Sequence, residues 1–350
     1  MMAAWQQGHL PPAGQILLVG FSGGPDSSAL LHALTRAGNW SLVALHIDHG
    51  LRAGSANEAE YACQLANRWQ VPCHVVRLAE PAVGETAARK ARHLELAAMA
   101  RQINAAAIAL GHNADDQLET MLLNLIRGAG LTGLSGMQFA ESGPAGINLV
   151  RPLLGVTRQA IEAYLHQSGI QPLLDPTNED PAYTKRNRLR LEVLPVLRSL
   201  NPRVAKIANR TARILARDEA ALETATDQAF AQLWQQQRRS FRRADFNSQP
   251  ISLRYRMLRR IAPELSFAQA EQLLGFAGGQ APAHTHLLGK VVAIRSGGEL
   301  KFRKAGDDPM DYPGHLECRI CLTRQLPISS MGRDLCDKVC QEDLADLPGK

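Results

Sequence analysis

The chain has 350 residues, enough for two or three domains, and 45% of them are apolar, as expected of a protein that buries a core. No run of about 18 apolar residues occurs, which argues against a membrane helix. The opening MMAAWQQGHLPP lacks the order of a signal peptide, and six cysteines are too few for a disulfide framework, so the expected location is the cytoplasm.

QILLVGF (15–21) is a short apolar run that reads as a buried strand, followed by helical spacing over 26–34. Further strands are predicted at 41–47, 73–78 and 105–110, with helices near 55–69, 85–103 and 114–126. Four strands alternating with helices predict an α/β fold, a parallel doubly wound sheet whose ligands sit at the carboxyl ends of the strands. Residues 128–156 read as a Gly-rich loop and 157–168 as a helix. The stretch 175–184, DPTNEDPAYT, has the turn chemistry of an ordered loop. From 185 to about 237 the chain reads as helical, interrupted near Pro195 and Pro202. Two short helices (251–260, 267–277) and a hairpin (287–294, 299–303) predict a small α+β domain. The expected division is 1–184 for a nucleotide-binding domain, 185–244 for a basic helical region, 245–310 for the small domain and 311–350 for a Cys-containing tail.

Between the first strand and first helix lies Ser22-Gly23-Gly24-Pro25-Asp26-Ser27. Paired glycines let backbone N–H groups turn inward and approach a phosphate closely. The helix that starts there adds unpaired N–H donors, and Pro25 suits its first position, where no N–H is needed. No GxxxxGK[ST] is present, so this is not a Walker loop. A tight turn capped by Asp26 or Ser27 is the plainer alternative; the string after a buried strand favours nucleotide phosphate. After the second strand come His46, Asp48 and His49, whose spacing also permits a metal, although one strand end rarely closes a metal site. Arg89 and Arg92 share a helix face and suit phosphate or carboxylate. Gly111-His112-Asn113-Ala114-Asp115-Asp116 and Glu119 begin at the fourth strand's end. Carboxylates there gain from the helix dipole and can receive an ammonium or its proton, while Asp115 can also serve as a plain N-cap.

The Ser22–Ser27 string resembles the SGGxDS signature of the PP-loop ATP pyrophosphatases, an adenine-nucleotide α-hydrolase-like fold whose members cleave ATP between its α- and β-phosphates and activate a carbonyl oxygen as the adenylate. Within that superfamily, E-x-x-A-R-x-x-R at 85–92, GHxxDDxxET…RG from Gly111 to Gly128, and GLxGLSGM at 130–137 resemble tRNA(Ile)-lysidine synthases. Arg151-Pro152-Leu153-Leu154 and Asp175 to Arg190 extend the likeness, which covers about 15–220 and, more weakly, 250–305, a region similar to the family's small substrate-binding domain. The resemblance implies a carbon–nitrogen ligase. It would adenylate the C2 carbonyl of the wobble cytidine in a minor tRNA(Ile) with a CAU anticodon, then join free L-lysine, releasing AMP and pyrophosphate. It implies ATP on Ser22, Gly23, Gly24, Pro25, Asp26, Ser27, His46, Asp48, Gly111 and His112. It places Mg2+ near Asp26 through the pyrophosphate, and catalytic roles on Asp26, Arg92, Asp115 and Asp116. A homodimer is left open.

The net charge is +6, but residues 185–217 hold ten basic side chains and one acid, Glu192, so this stretch carries +9 and the rest −3. Concentrated positive charge suits a polyanion. Arg203, Lys206, Arg210, Arg213 and Arg217 step by three and four, which puts them on one helix face, with Val204, Ile207 and Ile214 expected to pack inward. With Arg186 and Arg190 they are the expected tRNA contacts, as phosphate clamps rather than base readers. Cys318, Cys321, Cys336 and Cys340 approach zinc-ribbon spacing. The alternation Leu316, Cys318, Ile320, Leu322 favours buried thiols over structural zinc, and the tail faintly resembles the start of a truncated second C-terminal domain. Cys63 and Cys73 read as isolated structural residues. Three rivals remain: a PP-loop tRNA thiolase, disfavoured because the first domain has no C-x-x-C; an amidating synthetase, which leaves the basic helix unexplained; and a non-catalytic nucleotide or RNA binder.

Overall fold

The computed structural model describes residues 10–48, 50, 54–78, 84–174, 180–182, 184–279, 285–288, 291–296 and 298–304. His49, the 175–179 part of the ordered loop and the cysteine tail lie outside them.

The first unit is built on a six-stranded sheet in the order β3-β2-β1-β4-β6-β5. Its strands are β1 (Ile16–Gly20), β2 (Ser41–Asp48), β3 (Cys73–Arg77), β4 (Ala107–Ala109), β5 (Ala140–Ser142) and β6 (Asn148–Val150). Pairing is parallel except for β5 on β6. Leu18 faces Val43 on one side and Ile108 on the other, so β1 is central. Its side chains alternate between two buried faces. Leu17 and Val19 pack with Leu30, Leu34, Leu65, Ile161 and Leu165. Leu18 packs with Leu45, Leu96, Ile108 and Leu149. Burying each such side chain contributes about 1.5–3 kcal/mol, which is why the strands read as continuous apolar runs.

The helices over these faces are α1 (Pro25–Ala37), α2 (Ser55–Arg68), α3 (Glu85–Gln102), α4 (Ala114–Ile126), the single turn α5 (Leu131–Leu134) and α6 (Arg158–Gln167). The stretch read as a loop at 128–156 therefore holds α5 and two strands. A bend at Gly143 returns β5 onto β6, and there a Cβ on Gly143 would meet the Ile147 carbonyl oxygen at 2.5 Å. The chain then continues through α7 (Lys185–Arg188), a π-turn (Leu189–Val193), α8 (Leu194–Leu200) and the long α9 (Val204–Leu233). Pro195 lies in the first turn of α8 and does not interrupt the helix, whereas the break at Pro202 is real. Cys63 on α2 and Cys73 at the start of β3 are joined as a disulfide, so they are not isolated.

The chain divides into two compact units between Ala221 and Leu222, within α9. The second has helices α10 (Arg243–Ser248), α11 (Ile251–Ile261) and α12 (Phe267–Gly278), and an antiparallel sheet ordered β7-β10-β9-β8. The expected hairpin strand at 287–294 is two strands, β8 (Thr285–Leu288) and β9 (Val291–Ser296). β10 (Glu299–Lys304) and β7 (Ser240–Arg242) complete the sheet. Phe241, Phe246, Met257, Phe276, Leu300 and Phe302 form its core.

Candidate active site

Strand order reverses direction at β1: β2 lies on one side and β4 on the other. The loops that leave β1 and β4 therefore lie at the topological switch point, where such sheets bind ligands. The loop after β1 is the Ser22–Ser27 string. Gly23 takes φ +76°, which disfavours any side chain there, and a Cβ would strike Leu173 Cδ1 at 2.7 Å. Ser27 Oγ donates to the Gly24 carbonyl at 3.1 Å and Ser28 Oγ to that of Gly23 at 3.0 Å, while Gly24 N donates to Ser22 Oγ at 3.3 Å. These bonds hold the turn in shape. Gly24 caps α1 without a side-chain hydrogen bond, so neither Asp26 nor Ser27 is the cap, and Pro25 sits in the first turn. Apart from Gly24 N, which donates to Ser22 Oγ, the helix start presents its N–H groups and positive dipole end with no side-chain acceptor among the described residues.

Gly111, just past β4, presses against this turn. A Cβ there would lie 3.0 Å from the Asp26 carbonyl carbon and 3.1 Å from Ser27 N. The next turn begins α4, whose cap is Asn113 rather than Asp115. Asn113 Oδ1 accepts from Asp115 N (2.8 Å) and Asp116 N (3.0 Å), and Asp116 Oδ2 accepts from Asn113 N at 2.9 Å, a reciprocal capping box. The Asn113 amide also donates to Asp26 Oδ1 at 2.8 Å, so one residue ties the phosphate turn to the acidic helix.

Asp26 carries the clearest electrostatic signature. Burial, then the Asp116 charge, push its pKa up to about 6, against the Asn113 amide and the positive charges of Arg158 and Arg190. Asp116 and Glu119 share α4's inner face. Arg190 Nε meets Glu119 Oε1 at 2.8 Å and its NH2 meets Asp116 Oδ1 at 3.3 Å; Arg186 Nε lies 3.2 Å from Glu119 Oε2 and its NH2 donates to Thr120 Oγ1 at 3.0 Å. Glu119 is fully buried and its pKa is raised by that burial despite both arginines. Arg186 and Arg190, expected as tRNA contacts, are instead turned inward onto these carboxylates.

Asp115, expected to be catalytic, is also committed elsewhere. Oδ1 accepts from Arg198 at 2.7 Å and Oδ2 from Arg158 N at 2.7 Å, which binds α4 to α8 and to the start of α6. His46 is buried, which lowers its pKa, and its Nδ1 has no hydrogen-bond partner among the described residues. Burial pushes Asp48 upward, but Gly50 N–H (2.8 Å), the Ser55 hydroxyl and Arg77 outweigh it and hold the carboxylate below its ordinary range. Arg89 and Arg92 are exposed on α3, and their charges reach His112. His112 Nδ1 accepts from Arg151 Nε at 3.1 Å.

Asn113, Arg151 and Arg198 were not expected as site residues. The N-x-x-D spacing of Asn113 and Asp116 is a capping signal. A lone arginine inside Leu149-Val150-Arg151-Pro152-Leu153 is a sign of a buried ion, because such a charge must be paired. Arg198 gives no local signal.

Arg203, just before α9, and Lys206, Arg210, Arg213 and Arg217 on it are all exposed, and among the described residues none has a carboxylate partner. The inward face differs from expectation. Ala205, Ala208 and Ala212 are buried there, while Ile207 and Ile214 are 37% and 50% exposed. Small side chains let α9 approach Ala114, Leu118 and Leu194 closely, and the larger isoleucines are left beside the basic row.

A PP-loop domain model matches residues 5–197. A tRNA(Ile)-lysidine synthase of Synechococcus sp. is 37% identical over 311 residues, covering 86% of this chain and 95% of that protein. One from Novosphingobium aromaticivorans is 35% identical over 85% and 86% of the two chains, and one from Leifsonia xyli 44% identical over 62% and 65%. A mostly parallel sheet carrying this phosphate turn, together with two of these relatives matched over 86% and 95% of their length, establishes that the chain belongs to the tRNA(Ile)-lysidine synthase family of PP-loop proteins.

Proposed function

We propose that the protein binds ATP at the Ser22–Ser27 turn, adenylates the wobble cytidine of a tRNA(Ile) with a CAU anticodon, and joins free L-lysine to the activated C2, releasing AMP and pyrophosphate. The observation that carries this reading is the hydrogen bond from Asn113 to Asp26. It fixes a phosphate cradle and an acidic helix end side by side at neighbouring strand termini. Three features fit the nucleotide: the close approach of Gly111, the left-handed Gly23 and the unpartnered His46 Nδ1.

The two chemical demands differ. Adenylation needs donors where phosphate charge accumulates, which the N-terminal N–H groups of α1 supply. Lysine must then lose an ammonium proton before it attacks. Asp26 suits that proton: its pKa of about 6 makes it a carboxylate at neutral pH, yet more basic than an ordinary aspartate. Asp115 is fully engaged in structure and is not the base. Asp116 and Glu119 are already paired with Arg190 and Arg186, so they hold the acidic helix end in place and leave Asp26 as the carboxylate that meets the amine. Magnesium carried on the triphosphate would meet the Asp26 carboxylate and would offset phosphate charge; among the described residues no group of three ligating side chains forms a protein-built metal site. The α9 row would grip tRNA phosphates and position the RNA without reading it. The setting is the cytoplasm, where tRNA, lysine and ATP meet; no described helix is long and apolar enough to cross a membrane.

The test is incubation with ATP, labelled lysine and minor isoleucine tRNA. Lysine is expected in the tRNA only when all three are present, with pyrophosphate released, and Asp26→Ala is expected to abolish it. ATP turnover with no tRNA-dependent lysine uptake, or transfer of labelled sulfur instead, would reject the proposal.

A further inference from the structure

Arg151 is a fully buried guanidinium one residue past β6. Each of its nitrogens has an acceptor: Nε donates to His112 Nδ1 at 3.1 Å, NH1 to the Gln138 carbonyl at 2.8 Å, and NH2 to Glu141 Oε1 at 2.6 Å. A guanidinium is only ever a donor. His112 Nδ1 must therefore offer its lone pair, and a neutral ring must carry its proton on Nε2. The ring is held neutral: burial first, then Arg151, Arg89, Arg186 and Arg92, keep its pKa well below the ordinary histidine value. Among the described residues no hydrogen bond involves Nε2. His112 follows Gly111 directly, and Gly111 lies against the backbone of Asp26 and Ser27 at the start of α1.

We propose that Arg151 is a positioning residue that fixes His112 in its Nε2–H form, and that this N–H donates to a phosphoryl oxygen of the nucleotide on the Ser22–Ser27 turn. The inference rests on the proposed function for its ligand. A neutral donor has a specific use there. It stabilises charge that builds on a phosphoryl oxygen during adenylation, and it adds no fixed positive charge to hold the leaving pyrophosphate. Arg151 is fully buried and does not reach the ligand itself; it acts through the ring. Glu141 and the Gln138 carbonyl keep the guanidinium from rotating, so the Nε–H that meets His112 Nδ1 has a fixed direction.

The first measurement is the nitrogen NMR spectrum of histidine-labelled protein, with His112 assigned by its loss in His112→Gln. The expected spectrum has an unprotonated Nδ1, a protonated Nε2, and an Nε2–H signal that moves when ATP is added. A proton on Nδ1, or an Nε2–H signal indifferent to ATP, would overturn the proposal. Both readings are independent of lysine transfer, so failure of the lysine assay in the wild type would defeat the functional proposal while leaving this one decided by the spectrum. The second measurement is a cycle on kcat. Arg151→Lys keeps the charge but gathers its three donors on one nitrogen, which cannot reach acceptors spread around a guanidinium fork, and it is expected to lower kcat about tenfold to a hundredfold while mixing the ring's two neutral forms. In a His112→Ala background the same change is expected to cost little more, because its target is gone. Equal, additive losses in both backgrounds would reduce Arg151 to a structural residue and overturn the proposal. If Arg151→Lys does not fold, the wild-type spectrum decides alone.

Discussion

Two groups of basic residues sit within one +9 stretch of sequence and have opposite fates. Arg186, Arg190 and Arg198 turn inward and meet Glu119, Asp116 and Asp115. Arg203, Lys206, Arg210, Arg213 and Arg217 face solvent. The difference is not in the arginines. It lies in whether the fold brings a buried carboxylate, some 70 to 80 residues away in the chain, within reach. An inward arginine is required because its partner acid cannot stay ionised and buried alone. An outward one is free to exchange water and counterions for phosphate.

The sharpest way to break this comparison is to treat both groups alike. Arg190→Met leaves fully buried Glu119 with Arg186 as its remaining arginine and is expected to destabilise the first unit by about 3–5 kcal/mol, read by chemical denaturation. Stability within error of wild type would mean that the inward pairing is not required. Asp26 gives the next effect, of opposite sign. Its pKa is raised from 3.8 to about 6, so its ionised form opposes folding above pH 6. That penalty fades as pH falls from 6 towards 3.8, below which folded and unfolded states are both protonated. Asp26→Asn should therefore gain up to about 3 kcal/mol at pH 8 and almost nothing below pH 4, while lysine incorporation falls at least about a hundredfold. A variant less stable than wild type at pH 8 would contradict the raised value.

Packing under α9 is tested by Ala208→Ile, which overfills the space beside Leu118 and Leu194 and should cost about 1–3 kcal/mol. Ile207→Gln on the outer side should stay within about 0.5 kcal/mol. The smallest stability effect belongs to the outward arginines. Arg210, Arg213 and Arg217 changed together to Gln should leave thermal stability within about 0.5 kcal/mol each. The same change should lower the slope of log affinity against log salt for tRNA by about 0.7–0.9 for every phosphate that is no longer neutralised. An unchanged slope would remove α9 from the RNA interface.

Much of this was legible in the chain. β1, β2 and β4 announced themselves as apolar runs because the sheet buries them on both faces, whereas β3, at the edge and largely exposed, showed only through its short CHVVRL segment between two helical stretches. The phosphate turn was legible because its geometry is local: Gly23 needs a left-handed backbone and Pro25 a position without an N–H. The acidic cluster was half legible. Helical spacing placed Asp116 and Glu119 together, but the commitment of Asp115 to Arg198 and Arg158 N depends on α6 and α8, which no local pattern reports. The inward face of α9 was misassigned for a related reason. Spacing identifies a stripe, but whether bulky Ile207 or small Ala208 faces the neighbour depends on how close that neighbour comes. β5 and β6 were hidden because each is three residues long and the bend between them is Gly- and Pro-rich.

The position of the triphosphate matters most, because the phosphate cradle, the proton acceptor and the neutral histidine donor all follow from it. A crystal structure of the protein with a non-hydrolysable ATP analogue measures it. The expected result is phosphate oxygens against the first backbone N–H groups of the Pro25–Ala37 helix, within reach of Gly23, Ser27 and His112. Nucleotide seated away from these residues, with the turn closed over by its own side chains, would contradict it.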